Sequence, residues 1–168
     1  METTLCSSFL SKIEDQLDRT GHLISLVPRD RLEWTPPMPK GFSVGSLLAH
    51  LMECLAGFCA VLHASYPDRL HHFLDLRKLS LDQPIDPSEA QTRLTVYRDH
   101  IREGFTVVND VDLSRKIPTI FVNDGEPLLN LLLINFEHLA SHKYQLFVYL
   151  RMLGLHVSSS DLYHFSGQ

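Results

Sequence analysis

The sequence has little cysteine, no long uninterrupted apolar run and no excess of basic residues. Three cysteines in 168 residues are too few and too irregularly spaced for the disulfide framework of a small secreted protein. A net charge of −5 with interspersed signs lacks the basic surface that nucleic-acid binding requires. The longest apolar run, near Leu128 to Ile134, is far shorter than the roughly 20 residues of a membrane span.

The N-terminal residues also lack the features of a secretory signal. Met1-Glu-Thr-Thr-Leu-Cys6 has neither a basic n-region nor an apolar h-region. Together with the scarcity of cysteine, this predicts a soluble protein of the cytoplasm.

The sequence does contain enough apolar residues for one hydrophobic core. Its 168 residues lie within the roughly 100–200 residues of a typical domain. At 44% hydrophobic the chain can bury a full core without disulfides. We therefore predict one domain spanning residues 1–168.

Four segments carry apolar residues at spacings of three, four and seven, which is typical of amphipathic helices. Ser43 caps the second helix, and Asp86 followed by Pro87 marks the start of the third. Gly154 supplies the C-terminal stop of the fourth. The predicted helices are Thr3–Val27, Val44–Ser65, Pro87–Asn109 and Glu126–Leu153.

The connecting segments complete the predicted fold. We expect a short helical turn at Asp68–Leu76, and an extended crossover with one short strand around Ile117–Val122. The tail from His156 is predicted to be either an ordered arm or a frayed end. Four long amphipathic helices of this kind predict an all-α four-helix bundle with a long crossover connection.

The fourth helix carries two histidines at metal-ligand spacing. His138 and His142 are four residues apart, so on a helix they lie one turn from each other on the same face. A third imidazole on a facing helix would complete a metal site, and His50, at the edge of the second helix's apolar stripe, is the best candidate. Three imidazoles with an open fourth position are the arrangement of a catalytic zinc site.

Three motifs carry a resemblance to a known family. They are Ser43-Val-Gly-Ser-Leu-Leu-Ala-His50-Leu, His138-Leu-Ala-Ser-His142-Lys-Tyr-Gln145 and Leu150-Arg-Met-Leu-Gly154. In their order and spacing they resemble the DinB/YfiT-like family of metal-dependent enzymes, whose members are four-helix bundles.

The resemblance implies that His50, His138 and His142 bind one divalent metal ion, often zinc or nickel. It also implies a homodimer in many members, and relatives that transfer or isomerise small molecules with low-molecular-weight thiols. Leu139 and Ser141 depart from the family, which often has glutamate and another histidine there. No catalytic base is therefore assigned.

Several residues near the predicted site admit two interpretations. Cys54 is either a thiolate ligand or, as we expect, a small core residue. Glu53 is either a base or a solvated carboxylate, and Gln145 is either a support for the ligands or a substrate contact. His100 could approach the site from the third helix, although an exposed position is expected, and His71 and His72 are expected to be solvated.

Two functional hypotheses follow. The first is a metal-dependent enzyme, a hydrolase or a thiol transferase, that acts on a small molecule. The second is a non-catalytic metal-binding or stress-response protein whose metal only stabilises the bundle. A closed fourth coordination position, filled by Cys54 or by the tail, would favour the second.

The fourth helix also predicts a homodimer. Leu131, Ile134 and Tyr149 are expected to face the histidines, while a second set of apolar residues lies on the other side of the helix. A peripheral helix needs only one apolar stripe, so the surplus predicts either cover by the crossover or a subunit interface. The second set is Leu129, Leu133, Phe136, Ala140 and Phe147.

Overall fold

The computed structural model describes residues 4–79, 83–119 and 124–163. It confirms the predicted all-α bundle. Four long helices dominate, with a short fifth helix in the tail; the last five residues of that tail lie outside the described part. The helices are α1 (Leu5–Ser25), α2 (Val44–Ser65), α3 (Pro87–Val107), α4 (Leu128–Met152) and α5 (Ser159–Leu162).

Polar side chains cap α1, α2 and α3, and two of these caps, Ser43 and Asp86, were predicted from the sequence. The hydroxyl of Thr4 accepts from the backbone N–H of Ser7. The hydroxyl of Ser43 accepts from the backbone N–H of Ser46. The carboxylate of Asp86 accepts from the N–H of Glu89 at 2.9 Å. Each cap satisfies a backbone donor that has no partner within its helix.

The fourth helix begins two residues later than predicted. Glu126 precedes a proline, and a residue in that position is disfavoured in the α conformation. Glu126–Pro127 instead forms a short strand, β2, which pairs antiparallel with β1 (Lys116–Ile117). Of the remainder of the predicted extended run, residues 118 and 119 are described and are not in a strand, and residues 120–122 lie outside the described residues. The helical turn predicted at Asp68–Leu76 is present as a 3-10 helix at His71–Lys78.

The four long helices follow the order α1, α3, α2, α4 around the bundle. α2 packs mainly against α3 and α4, and α1 packs against the same two helices from the opposite corner. The links from α1 to α2 and from α3 to α4 therefore cross the ends of the bundle diagonally. The link from α3 to α4 is the long crossover that the sequence predicts, whereas the diagonal path of the link from α1 to α2 was not predicted.

α2 is the most apolar helix and lies at the centre of the core. Its buried residues include Leu51, Met52, Leu55 and Phe58. Among the helices of the described residues, α2 alone is long and apolar enough to cross a membrane. Because 61% of that apolar stretch is buried inside the bundle, its packing against α3 and α4 accounts for the composition.

A glycine allows α2 and α4 to approach closely. A Cβ added at Gly57 would lie 2.1 Å from the side-chain oxygen of Asn135. Gly57 lies seven residues after His50, and Asn135 lies seven residues before His142. Two turns from this contact, the antiparallel register therefore brings the two histidines opposite each other.

α4 shows a different exposed face from the one predicted. Its buried stripe includes Leu132, Leu139 and Leu146. Ile134, predicted to face the interior, is 57% exposed, so that prediction is wrong. On an ideal helix Ile134 lies about 40° from His138, on the side that turns away from the core.

The cap of α3 provides a test of the fold. We expect Asp86→Ala to lower the free energy of unfolding by about 1 kcal/mol, because the N–H of Glu89 loses its acceptor. Denaturant unfolding measures the change. Ser88→Ala, two residues away and exposed, should change stability by less than about 0.5 kcal/mol. Equal effects of the two variants would show that the cap contributes nothing of its own.

Candidate metal centre

Three histidines from two helices meet at one end of the α2–α4 contact. His50 comes from α2, and His138 and His142 come from successive turns of α4. One ring nitrogen from each lies within 4.8 Å of the other two. The structure thus brings together all three residues that the sequence predicts as a cluster, while their role as ligands stays a prediction.

The outer nitrogens of two rings are held by neighbouring side chains. Nδ1 of His50 lies 2.5 Å from a carboxylate oxygen of Glu53. Nδ1 of His142 lies 2.8 Å from the side-chain oxygen of Gln145, whose amide nitrogen donates to the hydroxyl of Tyr149 at 3.0 Å. Metal-binding histidines are oriented in this way by partners on the nitrogen that faces away from the metal.

The inner nitrogens are arranged to receive a cation. Nε2 of His50 and Nε2 of His142 are 3.1 Å apart. When Nδ1 of each ring donates its proton to Glu53 or Gln145, both Nε2 atoms carry lone pairs, which repel each other unless a cation lies between them. Nitrogens bound to one tetrahedral zinc ion at about 2.0–2.1 Å are about 3.4 Å apart. The three rings could therefore hold a divalent metal ion.

Residues of the link between α1 and α2 cover the cluster. Phe42 stacks on the ring of His50 with 4.9 Å between centroids, and it meets His142 edge-on. Trp34 packs edge-on against Tyr149 at 5.4 Å. The link is fixed to the start of α2 because the N–H of Val44 donates to the carbonyl of Trp34.

Sequence reasoning missed the roles of Phe42, Glu53 and Tyr149. Glu53 follows His50 by three residues, and this helical spacing could have identified it as the partner of Nδ1. The contact of Phe42 depends on the path of the preceding link, for which the sequence carries no comparable periodic signal.

Burial depresses the basicity of two of the histidines. The pKa of His138 is lowered, first by burial and then by the neighbouring His142 and His50. Burial also lowers the pKa of His142, although its hydrogen bond to Gln145 acts in the opposite direction. Both rings therefore favour the neutral form that metal coordination requires.

The remaining candidate residues lie outside the cluster. Cys54 is buried, its thiol donates to the carbonyl of His50, and burial raises its pKa to about 12, as expected of a core residue. His100 contacts Phe73 and the half-exposed His72 rather than the cluster. His72 pairs with Glu103, and His71 is exposed.

A cavity opens beside the cluster. It has a volume of about 270 Å³ and is lined by His50 and Glu53 together with residues of the neighbouring link and of the segment before α3. Phe42, Ser46 and Pro84 form part of its wall. A small molecule could therefore approach the His50 side of the site from solvent.

The chain has the fold of DinB-like proteins. No protein-family profile matches the sequence, and no curated protein matches it. The fold is similar to that of a DinB-like protein, YjoA, from Bacillus subtilis, with a TM-score of 0.67. The likeness covers 89% of this chain and 94% of that chain at 19% sequence identity. At this identity the likeness shows the fold alone.

The depressed pKa values of His138 and His142 predict a dependence of stability on pH. In the unfolded chain both rings titrate near about 6.5, whereas their pKa values in the folded chain are lower. The folded state therefore binds fewer protons in this range, and stability present above pH 6.5 is lost as the pH falls through the folded values. Denaturant unfolding of chelator-treated protein between pH 5 and 8 measures the effect.

A variant with both residues replaced, His138→Gln with His142→Gln, should show a flatter dependence over this range. His71→Gln, which lies outside the cluster, serves as the matched control. If stability depends on pH as steeply in the double variant as in the parent, groups other than His138 and His142 cause the dependence.

Proposed function

We propose that the protein is a cytoplasmic metal-dependent enzyme that activates a small nucleophile, water or a thiol, for attack on a small molecule. His50, His138 and His142 hold one divalent metal ion. The observation that carries this proposal is the arrangement of the rings of His50 and His142, whose Nε2 atoms converge while their Nδ1 atoms are held by Glu53 and Gln145. Two histidines that served only to pack the core would not need the lone pairs of their Nε2 atoms to face each other at 3.1 Å.

The donor set favours zinc or nickel. Imidazole nitrogen is a ligand of intermediate softness that suits zinc, nickel, copper and iron, and the resemblance to the DinB/YfiT-like family favours the first two. A metal ion bound by three neutral imidazoles acts as a Lewis acid and acidifies the water or thiol in its remaining position.

The side chains around the histidines have separable roles. Glu53 accepts the Nδ1 proton of His50 and so keeps that ring in the tautomer that exposes Nε2. Gln145 does the same for His142, and Tyr149 fixes the orientation of the Gln145 amide. Phe42 lies against two rings and limits the access of solvent to them.

The adjoining cavity supports a small substrate. Its 270 Å³ is slightly below the roughly 300–1,000 Å³ of sites for drug-sized ligands. The apolar wall that includes Phe42 and Pro84 suits an uncharged part of such a molecule. A low-molecular-weight thiol and a hydrolysable small molecule both meet these limits.

The alternative is a non-catalytic metal-binding or stress-response protein in which side chains complete the coordination. Two observations weigh against it. The thiol of Cys54 donates to a backbone carbonyl and has a raised pKa, whereas a ligand must be a thiolate. The described part of the tail, α5, packs against α1, which is diagonal to α2, and the carbonyl of its Leu162 accepts from Lys143 of α4.

Cobalt binding tests both the ligands and the open position. We expect the parent protein to bind one Co²⁺ per chain and to develop a thiolate-to-cobalt absorption band when 2-mercaptoethanol is added. His50→Ala, His138→Ala and His142→Ala should each lower the affinity for cobalt by at least about tenfold, because two imidazoles remain. Elemental analysis and visible absorption measure the result.

His71→Ala and His72→Ala are the matched controls and should bind cobalt like the parent. Full cobalt binding by His50→Ala would remove α2 from the site. One bound Co²⁺ per chain without a thiolate band would favour the non-catalytic alternative, because the fourth position would then be closed.

The exposed apolar residues of α4 support a further proposal about assembly. We propose that the functional unit is a homodimer of one-domain chains, each spanning residues 1–168, in which this surface of α4 forms the interface. Burial of these side chains against a second copy removes apolar surface from water. The residues are Leu133, Ile134, Tyr144 and Met152.

A charge in this surface should disrupt the dimer. We expect the parent to have twice the chain mass of 19.2 kDa and Tyr144→Glu to shift towards the monomer, because the carboxylate would lose its hydration at the interface. Light scattering coupled to gel filtration measures the mass. Val111→Glu, at a position that is 82% exposed elsewhere, should leave the mass unchanged. A parent protein that is monomeric at high concentration would refute the dimer.

A further inference from the structure

A second and larger cavity lies along α2, beyond Glu53. It has a volume of about 640 Å³ and lies between α2, α3 and the segment that contains the 3-10 helix. This volume is within the usual range of small-molecule sites. The three histidines of the candidate metal centre do not line it, but Glu53, the hydrogen-bond partner of His50, does, so the two cavities share one wall residue.

The middle of this cavity is apolar. Ala56 and Ala60 of α2 form one wall, and their small side chains leave the space open. Phe73, Leu76 and Leu79 form the facing wall. An apolar body of a ligand would replace water along this length and be stabilised by burial.

One end of the cavity offers hydrogen-bond donors and positive charge. His63 and Arg77 both line it there, and the charge of Arg77 acts on the imidazole of His63. Nε2 of His63 is buried without a partner among the described residues. Within the same residues Arg77 forms no ion pair, whereas the adjacent Lys78 pairs with Asp75 at 2.7 Å. An anionic group would pair with the guanidinium of Arg77, and it would accept from Nε2 of His63 when that nitrogen carries the proton of the ring.

The other end carries a negative charge and a buried hydroxyl. Glu53 lines the cavity here, ten residues before His63, which corresponds to about 15 Å along the helix. Tyr97 also lines it; its side chain is fully buried, and its hydroxyl has no hydrogen-bond partner in the described part of the chain. Burial first, and then the neighbouring Cys59 and Glu53, raise the pKa of Tyr97 to about 12. The hydroxyl is therefore protonated and available to a neutral polar group.

We propose that this cavity binds an amphipathic monocarboxylate with a neutral hydrogen-bonding group at its far end. The carboxylate lies against Arg77 and His63, and the apolar body lies over Ala56 and Ala60. The far polar group meets the hydroxyl of Tyr97. Glu53 repels a second carboxylate, so a dicarboxylate is disfavoured. The length of the cavity suits a medium-chain acid better than a short one such as acetate.

Calorimetric titration with matched probes tests this assignment. We expect 8-hydroxyoctanoate to bind about fivefold more tightly than octanoate, because the hydroxyl gains one hydrogen bond. Octanoate should in turn bind more tightly than octanol and octanedioate. Arg77→Gln should weaken octanoate binding by roughly fivefold, the effect of an exposed ion pair, and should leave octanol binding unchanged.

Three further variants locate the ligand. Tyr97→Phe should remove the advantage of 8-hydroxyoctanoate over octanoate. Ala60→Phe should fill the cavity and weaken both acids by at least about tenfold, with thermal melting used to confirm that each variant folds. Lys78→Gln is the matched control for Arg77→Gln and should bind like the parent. Equal binding of octanol and octanoate, equal effects of the two charge variants, or full binding by folded Ala60→Phe would each overturn the proposal.

Discussion

The close antiparallel contact between α2 and α4 is the constraint on which the candidate site depends. Gly57 lets Asn135 lie directly against the backbone of α2, and the same register brings histidines of the two helices together. A larger side chain at that position would separate the helices or displace Asn135. The geometry of the imidazole cluster is therefore set two helical turns away, by a residue that carries no functional group.

A hydrogen-bonded chain of side chains extends that constraint outward from the cluster. His142 is tied to Gln145, Gln145 to Tyr149, and Tyr149 packs against Trp34 of the link between α1 and α2. The link is itself bonded to the start of α2, the helix that carries His50. These contacts connect His142 on α4 to the start of α2, which carries His50. They orient the rings before any ligand binds.

The sequence predicted the parts of this structure that have periodic signals. The four helices follow from apolar spacing, and His138 and His142 share a face because four residues make about one turn. Ile134 was placed wrongly because it lies at one edge of the apolar stripe of α4. Apolar spacing does not show which edge of such a stripe faces solvent, since tertiary packing decides that. The start of α4 was missed because Glu126 precedes a proline, a local restriction that overrides the apolar pattern. The stacking of Phe42 and the large cavity depend on the paths of the links, for which there is no comparable rule.

The diagonal order of the helices has a consequence for the synthesis of the chain. His50 and His142 are separated by 92 residues, and α2 obtains its partner α4 only after α3 has been made. A nascent chain can pair α1 or α2 with α3 while it is still on the ribosome, but it cannot assemble the three imidazoles until the last long helix has emerged. Capture of an ion by the complete cluster would therefore mark the end of folding rather than nucleate it, which distinguishes this bundle from small domains that fold around their metal.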